Sequence, residues 1–474
     1  MDRTEIREKA ERIRDAIRYV KKFENSTVII YIDDTLIDSP VFANHVRDIC
    51  MIHEAGLKVI VVPGAGGRIS EILSKSGIGW KIHENCRITE DDAMPLIKMA
   101  AFDVSNRVMT SFAGEGKTAV IGNWVRARGK GIVNGFDYGT SGEIDKLQTE
   151  SINTILENGF IPIFPCIGWS LSGKPYNISS IELSQQIAIH LKADKLFFLV
   201  PGAEINGKNF KIPKSIEIAE DENIPALNLD EVGEFLKINE PLLNSADSNA
   251  ENTKHSVVLE KNIDEKNVSH ETNSKLHEKI FLLLNKARSA CLSGVPRVHI
   301  LNGSLDGIVP CEIFSDLGSG TMIYSSGYEK IRDMKREDIN SVLNLMQPFI
   351  EKQILLPRTR ESLAENFRNY IVYELDGIIR ACASLIPYTD GQTEIAGVAV
   401  DESFSHIGIG QKIIKFLVKR AISQNSMGIF LLTTQTADWF EKLGFSVSSV
   451  ESLPEERRKK WNPERGSKVL RLEK

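Results

Sequence analysis

The feature that most constrains this chain is the alternation of short, β-branched runs with helical patterns over its first two thirds. The runs are Thr27–Ile32, Leu57–Val62, Ala119–Ile121, Ile161–Cys166, Lys195–Val200 and Arg297–Leu301. Strands that alternate with helices predict an α/β domain with a mostly parallel sheet between helical layers. Ahead of the first run, Ile6, Ala10, Ile13, Ile17 and Val20 draw one apolar stripe on a helix otherwise rich in Arg, Lys and Glu. That stripe either packs on its own domain or serves as a subunit contact or regulatory arm.

The pattern lapses between about Asn239 and Ser274, where Asn, Ser, Glu, Asp and Lys dominate. A flexible insertion is expected there, because such a stretch buries too little apolar surface to offset its chain entropy. Helical pattern resumes at Leu276–Leu292. From about Ile331 the order becomes α+β. A helix (Ile339–Gln347) leads to a hairpin whose turn is Asp376-Gly377, then a strand (Glu394–Val400), a glycine-bearing loop (Ser405–Gly410), a helix (Gln411–Ser423) and a strand (Ile429–Thr434). At 474 residues the chain exceeds one ordinary core. The expected division is 1–325, with an N-terminal helix over 1–25 and the insertion at 239–274, followed by 331–474.

Composition excludes several classes. Hydrophobic content of 42% and charged content of 26% read as soluble and globular, and a formal net charge of -6 gives no reason to expect nucleic acid as the main partner. Six scattered cysteines, Cys50, Cys86, Cys166, Cys291, Cys311 and Cys382, form no C-x-x-C pair and have no histidines at zinc spacing, so no metal is expected. The first residues mix charges with apolar side chains throughout, unlike a signal peptide, and no apolar run approaches the roughly 20 residues of a membrane span. A cytoplasmic protein with no membrane partner is expected.

After Val398-Ala399-Val400 the chain runs from Asp401 to Gly410 and opens into a helix. A glycine-bearing turn at a helix N-terminus exposes unpaired N–H groups beside a positive dipole end, which suits a pyrophosphate. Alone, such a turn is more often ordinary cap geometry. Its surroundings resemble the GNAT acetyltransferase superfamily, whose acetyl-CoA loop reads Gln/Arg-x-x-Gly-x-Gly/Ala; here it is Ser405-His406-Ile407-Gly408-Ile409-Gly410, with serine at the Gln/Arg position.

The match narrows through Leu356–Glu361, Glu394–Val400, Leu431–Phe440, and Leu453-Pro454-Glu455 through Arg465-Gly466-Ser467-Lys468. Together these are similar to the N-acetylglutamate synthase family. The resemblance implies acetyl transfer from acetyl-CoA to the α-amine of L-glutamate, the first step of arginine biosynthesis. It implies Glu394 as the base acting through water, and Thr433 as the hydroxyl near the departing sulfur. Arg358 and Arg465 become the guanidinium clamps for two carboxylates. The acetyl-CoA site becomes Val398, Ala399, Val400 and the loop from Ser405 to Gly410, with main-chain N–H groups near Gly397 and Val398 polarising the carbonyl. Lys412 and Lys415 either face CoA phosphates or form a solvated helix face.

The first domain resembles the amino-acid-kinase family, an α/β/α sandwich, through Gly64-Ala65-Gly66-Gly67, Gly294–Gly303, Glu312-Ile313-Phe314 and Gly318–Ile323. Where a kinase of that family reads Lys-x-Gly-Gly, this chain reads Tyr31-Ile32-Asp33-Asp34. The catalytic aspartate aligns with Ile181 and the second lysine with Leu282, so phosphoryl transfer is not expected. By the same resemblance Tyr19, His299, Glu312 and Gly318 form an L-arginine effector site for feedback inhibition, and the protein is a homo-oligomer, a hexamer among the candidates. Two competing readings are an arginine-sensing protein with a decayed acetyltransferase site, and an active kinase with an accessory domain. Arg358, Glu394, Thr433 and Arg465 together oppose the first, and Tyr31, Ile181 and Leu282 the second.

Overall fold

The computed structural model describes residues 3–83, 85–216, 218, 222–250, 265–314, 318–325, 329–402, 404 and 408–472. The chain divides into two compact units, Met1–Ser325 and Ser326–Lys474.

In the first unit an eight-stranded sheet runs, in spatial order, Ala226–Asn228, Thr321–Tyr324, Arg297–Asn302, Lys195–Val200, Thr27–Ile32, Lys58–Pro63, Ile161–Ile163 and Ala119–Ile121. Every pair is parallel except Arg297–Asn302 with Thr321–Tyr324. Strand side chains alternate between faces, and here both faces are dry. Ile29, Tyr31, Ile60, Val62, Leu196 and Phe198 enter one core, while Val28, Ile30, Ile32, Val59, Val61, Phe197 and Leu199 enter the other. A second, four-stranded sheet comprises Pro175–Asn177, Ile167–Trp169, Val125–Gly129 and Gly142–Leu147.

The N-terminal helix spans Arg3–Phe23. Tyr19 and Phe23 are buried, whereas Ile13 and Ile17 remain 54% and 52% exposed, so that part of the apolar stripe does not pack on its own unit. In the region read as a flexible insertion, the helices Leu229–Ala250 and Glu265–Leu292 run in from both sides, and residues 251–264 lie outside the described residues. Asn239 stands at the start of this region, on the first of these helices. It is fully buried, and its amide bonds the main chain of Lys211 and the carbonyl of Phe235, so it anchors the helix.

In the second unit seven strands lie in the order Glu329–Asp333, Tyr370–Leu375, Ile378–Pro387, Gln392–Val400, Gly428–Thr433, Lys468–Leu472 and Phe445–Ser448. All pairs are antiparallel except Gln392–Val400 with Gly428–Thr433. The hairpin turn is left-handed at both central residues, Asp376 (φ 52°) and Gly377 (φ 81°), which matches the twist of the flanking strands. Helix Ile409–Ser423 covers one face through Ile413, Ile414, Leu417 and Ala421, and helix Ile339–Glu351 covers the other through Val342 and Met346.

Helix Ile409–Ser423 therefore depends on its apolar stripe for its position. Replacing the fully buried Leu417 by alanine should destabilise the second unit by about 2–5 kcal/mol in chemical denaturation, the range for a leucine-sized core deletion. A change below about 0.5 kcal/mol would contradict this packing.

Candidate active site

Two defects in the seven-stranded sheet of the second unit open the candidate site. The parallel register between Gln392–Val400 and Gly428–Thr433 ends at Ile395–Leu431, so the strands part there. On the other edge, the register shifts between Cys382 and Ser384, leaving Gly397 and Val398 opposite Ala383 in a bulge. Gly397 has φ 60°, a left-handed value that a side chain would strain.

A cavity of about 230 Å³ opens beside this bulge, lined by Arg358, Glu394, Gly397, Thr434, Arg457, Lys460 and Arg465 among others. Arg358 precedes the helix Arg360–Asn366, whose cap Thr359 accepts from the Ser362 N–H at 3.2 Å, and Arg358 Nε donates to Tyr370 Oη at 3.4 Å. Arg465 lies on a single turn, Pro463–Arg465, capped by Asn462 and closed by Gly466 at φ 63°. Its Nη2 donates to the Ile354 carbonyl at 2.9 Å. Among the described residues neither Arg358 nor Arg465 has a carboxylate partner. Burial, then repulsion from Arg358 and Arg457, holds the Arg465 guanidinium below its usual pKa. Four cationic side chains thus face one carboxylate across the cavity, which is an electrostatic invitation to a small polyanion.

That carboxylate, Glu394, is only 4% exposed. Tyr388 Oη donates to its Oε2 at 2.6 Å, and Arg457 Nε donates to Oε1 and Oε2 at 3.1 and 3.0 Å. Burial first, and the Glu394 charge second, push the Tyr388 phenol well above its ordinary pKa, so it stays a donor. Sequence reasoning missed both Tyr388 and Arg457. Arg457 lies inside the Leu453–Lys468 stretch and could have been weighed there, whereas Tyr388 sits in a strand-end loop with no pattern to mark it.

Thr433 is the last residue of strand Gly428–Thr433. Its Oγ1 lies 2.9 Å from Thr436 Oγ1 and accepts from the Thr436 N–H at 3.1 Å, tying the turn before helix Ala437–Lys442. The neighbouring Thr434 lines the cavity, and its buried Oγ1 has no partner among the described residues. The two hydroxyls differ in their surroundings because Thr434 begins the bend after that strand.

Of the proposed coenzyme loop, Ser405, His406 and Ile407 lie outside the described residues. Gly408 caps helix Ile409–Ser423 with φ 77°, and a Cβ at Gly410 would lie 3.3 Å from the Trp439 ring, so the backbone is bare where an anion would meet the helix N-terminus. Ala399 is buried, and Val398 and Val400 pack partly against the core. Lys412 is held by Glu329 at 2.8 Å, and Lys415 is exposed.

In the first unit His299, Glu312 and Gly318 come together. His299 stacks on Phe197 (4.5 Å, 16°), its Nδ1 lies 2.5 Å from Glu312 Oε1, and a Cβ on Gly318 would fall 2.7 Å from Glu312 Oε2. Tyr19 is buried on a helix that contacts Ile308–Phe314, which carries Glu312. Glu312 is not a free carboxylate, since it also accepts from the N–H groups of Ser319 and Gly320 at 2.5 and 3.0 Å. Burial lowers the His299 pKa to about 4, so the ring is neutral at pH 7. Its Nδ1–H then donates to Glu312, and Nε2 is left as a buried acceptor without a partner among the described residues.

The place of the kinase phosphate loop is a cavity of about 340 Å³ lined by Tyr31, Asp34, Gly64, Ile181 and Lys279 among others. Asp33, 1% exposed, is ion-paired with Lys279 and accepts from Tyr31 Oη at 3.1 Å. Asp34 accepts from the Gly67 N–H at the start of helix Gly66–Lys75. An internal carboxylate thereby takes the anion position at that helix end. Lys279, one turn before Leu282, has its charge committed to Asp33.

Comparison with known proteins agrees with this architecture. The model of the Amino acid kinase family matches residues 26–227, and that of the Acetyltransferase (GNAT) domain matches 366–447. Curated amino-acid acetyltransferases from Vibrio vulnificus (30% identical, 97% of each chain) and Azotobacter vinelandii (30%, 97% of this chain and 98% of the relative) span nearly the whole length. A crystal structure of N-acetylglutamate synthase from Neisseria gonorrhoeae, complexed with coenzyme A and L-arginine, has the same fold, with TM-score 0.75, 24% identity and 98% of each chain covered. The protein is an acetyltransferase whose GNAT domain takes acetyl-CoA as co-substrate. With the splayed strands, the bare helix start and the cationic cavity all in its C-terminal unit, the chain belongs to the amino-acid acetyltransferase family.

Proposed function

We propose that the protein transfers the acetyl group of acetyl-CoA to the α-amine of L-glutamate, giving N-acetyl-L-glutamate and CoA. The observation that carries this reading is the pair Arg358 and Arg465, unpaired with any described carboxylate and lining one cavity with the buried Glu394. A bidentate guanidinium for each of two carboxylates selects a dicarboxylic amino acid. A second structure of the gonococcal synthase, in complex with coenzyme A and N-acetyl-glutamate (25% identical, TM-score 0.57, 98% of this chain), supports the same acceptor.

The reaction releases one proton overall. The substrate ammonium loses a proton toward Glu394 through water, and its nitrogen then bonds to the acetyl carbon as the C–S bond breaks. The nitrogen sheds a second proton, and the sulfur gains one. Main-chain N–H groups at the Gly397 bulge suit the charge that grows on the carbonyl oxygen, since the broken ladder leaves them to a ligand. Thr433, at the end of strand Gly428–Thr433, is the hydroxyl for the departing sulfur, and the neighbouring Thr434, whose unpartnered Oγ1 lines the cavity, is the alternative.

Purified protein should release thiol from acetyl-CoA when glutamate is present, without ATP. Arg358→Ala should raise KM for glutamate about 10- to 100-fold, the equivalent of one charged hydrogen-bonded contact, and leave KM for acetyl-CoA nearly unchanged. Absence of glutamate-dependent release would sink the proposal, and equal effects on both constants would remove Arg358 from the clamp.

For the first unit we propose L-arginine binding with feedback inhibition and no phosphoryl transfer. The neutral His299 offers a buried acceptor, and Glu312 a carboxylate, to a guanidinium. L-arginine should lower turnover, and Glu312→Gln should abolish that response while turnover without arginine persists; an unchanged response would exclude this site. Half-exposed Ile13 and Ile17 on the N-terminal helix support a homo-oligomer, and six free cysteines support a reducing, cytoplasmic setting. Sedimentation velocity and cell fractionation check both, and a monomer or an exported protein would contradict them.

A further inference from the structure

The pairing of Glu394 raises a difficulty that the clamp alone does not resolve. A carboxylate that is to accept a proton is here bonded by a guanidinium and a phenol, both donors. Arg457 makes its contact through Nε only, while its Nη1 and Nη2 bond no described residue, and its side chain lines the cavity at 18% exposure. A guanidinium has five N–H donors in one plane, so the edge not used by Nε can take a second carboxylate.

We propose that Arg457 is a positioning residue with two faces, one holding Glu394 and the other reading the side-chain carboxylate of the acceptor. The inference rests on the glutamate reading above and adds a coupling to it. When a dicarboxylate enters, Arg457 divides its charge between two anions, and its hold on Glu394 weakens while Tyr388 keeps the carboxylate in place. An acceptor lacking the second carboxylate leaves Arg457 wholly on Glu394. The acceptor's distal charge is therefore read in kcat as well as in KM, because binding energy remote from the reacting nitrogen is used to free the base. Arg358 and Arg465 hold substrate equally in ground and transition states, so their loss falls mainly on KM.

The test is steady-state kinetics of the full chain with L-glutamate and with L-glutamine, its neutral counterpart, for wild type, Arg457→Lys, Arg457→Gln and Tyr388→Phe. Glutarate binding by calorimetry serves as a readout independent of turnover. Wild type should prefer glutamate in kcat by about tenfold or more. Arg457→Gln should lose most of that kcat preference and bind glutarate at least about fivefold more weakly. Arg457→Lys, a point charge without a second edge, should keep Glu394 paired and fold normally yet recover less than half of the preference on a logarithmic scale. Tyr388→Phe should lower kcat for both acceptors alike and leave the preference intact. A kcat preference in Arg457→Gln and Arg457→Lys equal to wild type, or glutarate binding unchanged in both, overturns the inference while glutamate-dependent thiol release in wild type still stands. Wild type that releases no thiol overturns the reading beneath it, and calorimetry then decides separately whether Arg457 meets a dicarboxylate.

Discussion

Charge imbalance in one small cavity is the constraint on which the functional account depends. Arg358, Arg457, Lys460 and Arg465 converge with one buried carboxylate, Glu394, to balance them. Placing like charges together costs free energy that a ligand or a neighbour can offset, and burial first, then repulsion from Arg358 and Arg457, lowers the basicity of Arg465. The elements that hold these side chains are correspondingly rigid. Arg465 is fixed by a capped turn and a main-chain carbonyl, Glu394 by a strand with the dry core beneath it, and Arg358 by a helix cap and Tyr370.

The sheet supplies the other half of the site by failing to be regular. A strand that bulges on one edge and parts from its neighbour on the other interrupts the ladder beside the cavity. Gly397 makes the bulge possible, and Gly408 and Gly410 leave the next helix start bare. The first unit shows the opposite treatment of a similar geometry. There a helix start that a phosphate could use is closed by Asp34 from within, and Asp33 is neutralised by Lys279. A kinase-like framework is retained while its anion site is filled by the chain itself.

Much of this was legible in the residues. The six strand runs of the first unit recur in its sheet within a residue or a few at each end, because their β-branched and apolar content leaves one way to bury them. The Asp376-Gly377 turn was equally plain, since two left-handed residues between apolar runs specify a hairpin. Strands Ala226–Asn228 and Thr321–Tyr324 were not, being short edge pieces whose pairing depends on partners distant in sequence. The part played by buried Asn239, which ties helix Leu229–Ala250 to Lys211, was not legible either, because a polar residue gives no sign of being buried. Motif resemblance pointed to Arg358, Glu394 and Arg465 as site candidates, and they line one cavity, whereas the contacts of Tyr388 and Arg457 with Glu394 are visible only in coordinates.

The most direct test of the central claim is a crystal structure of the full chain with CoA and N-acetyl-L-glutamate. The account predicts both ligand carboxylates within about 2.7–3.2 Å of guanidinium nitrogens, one at Arg358 and one at Arg465, with the amide beside the Gly397 bulge. A ligand whose carboxylates face solvent, or which lies outside this cavity, would contradict it.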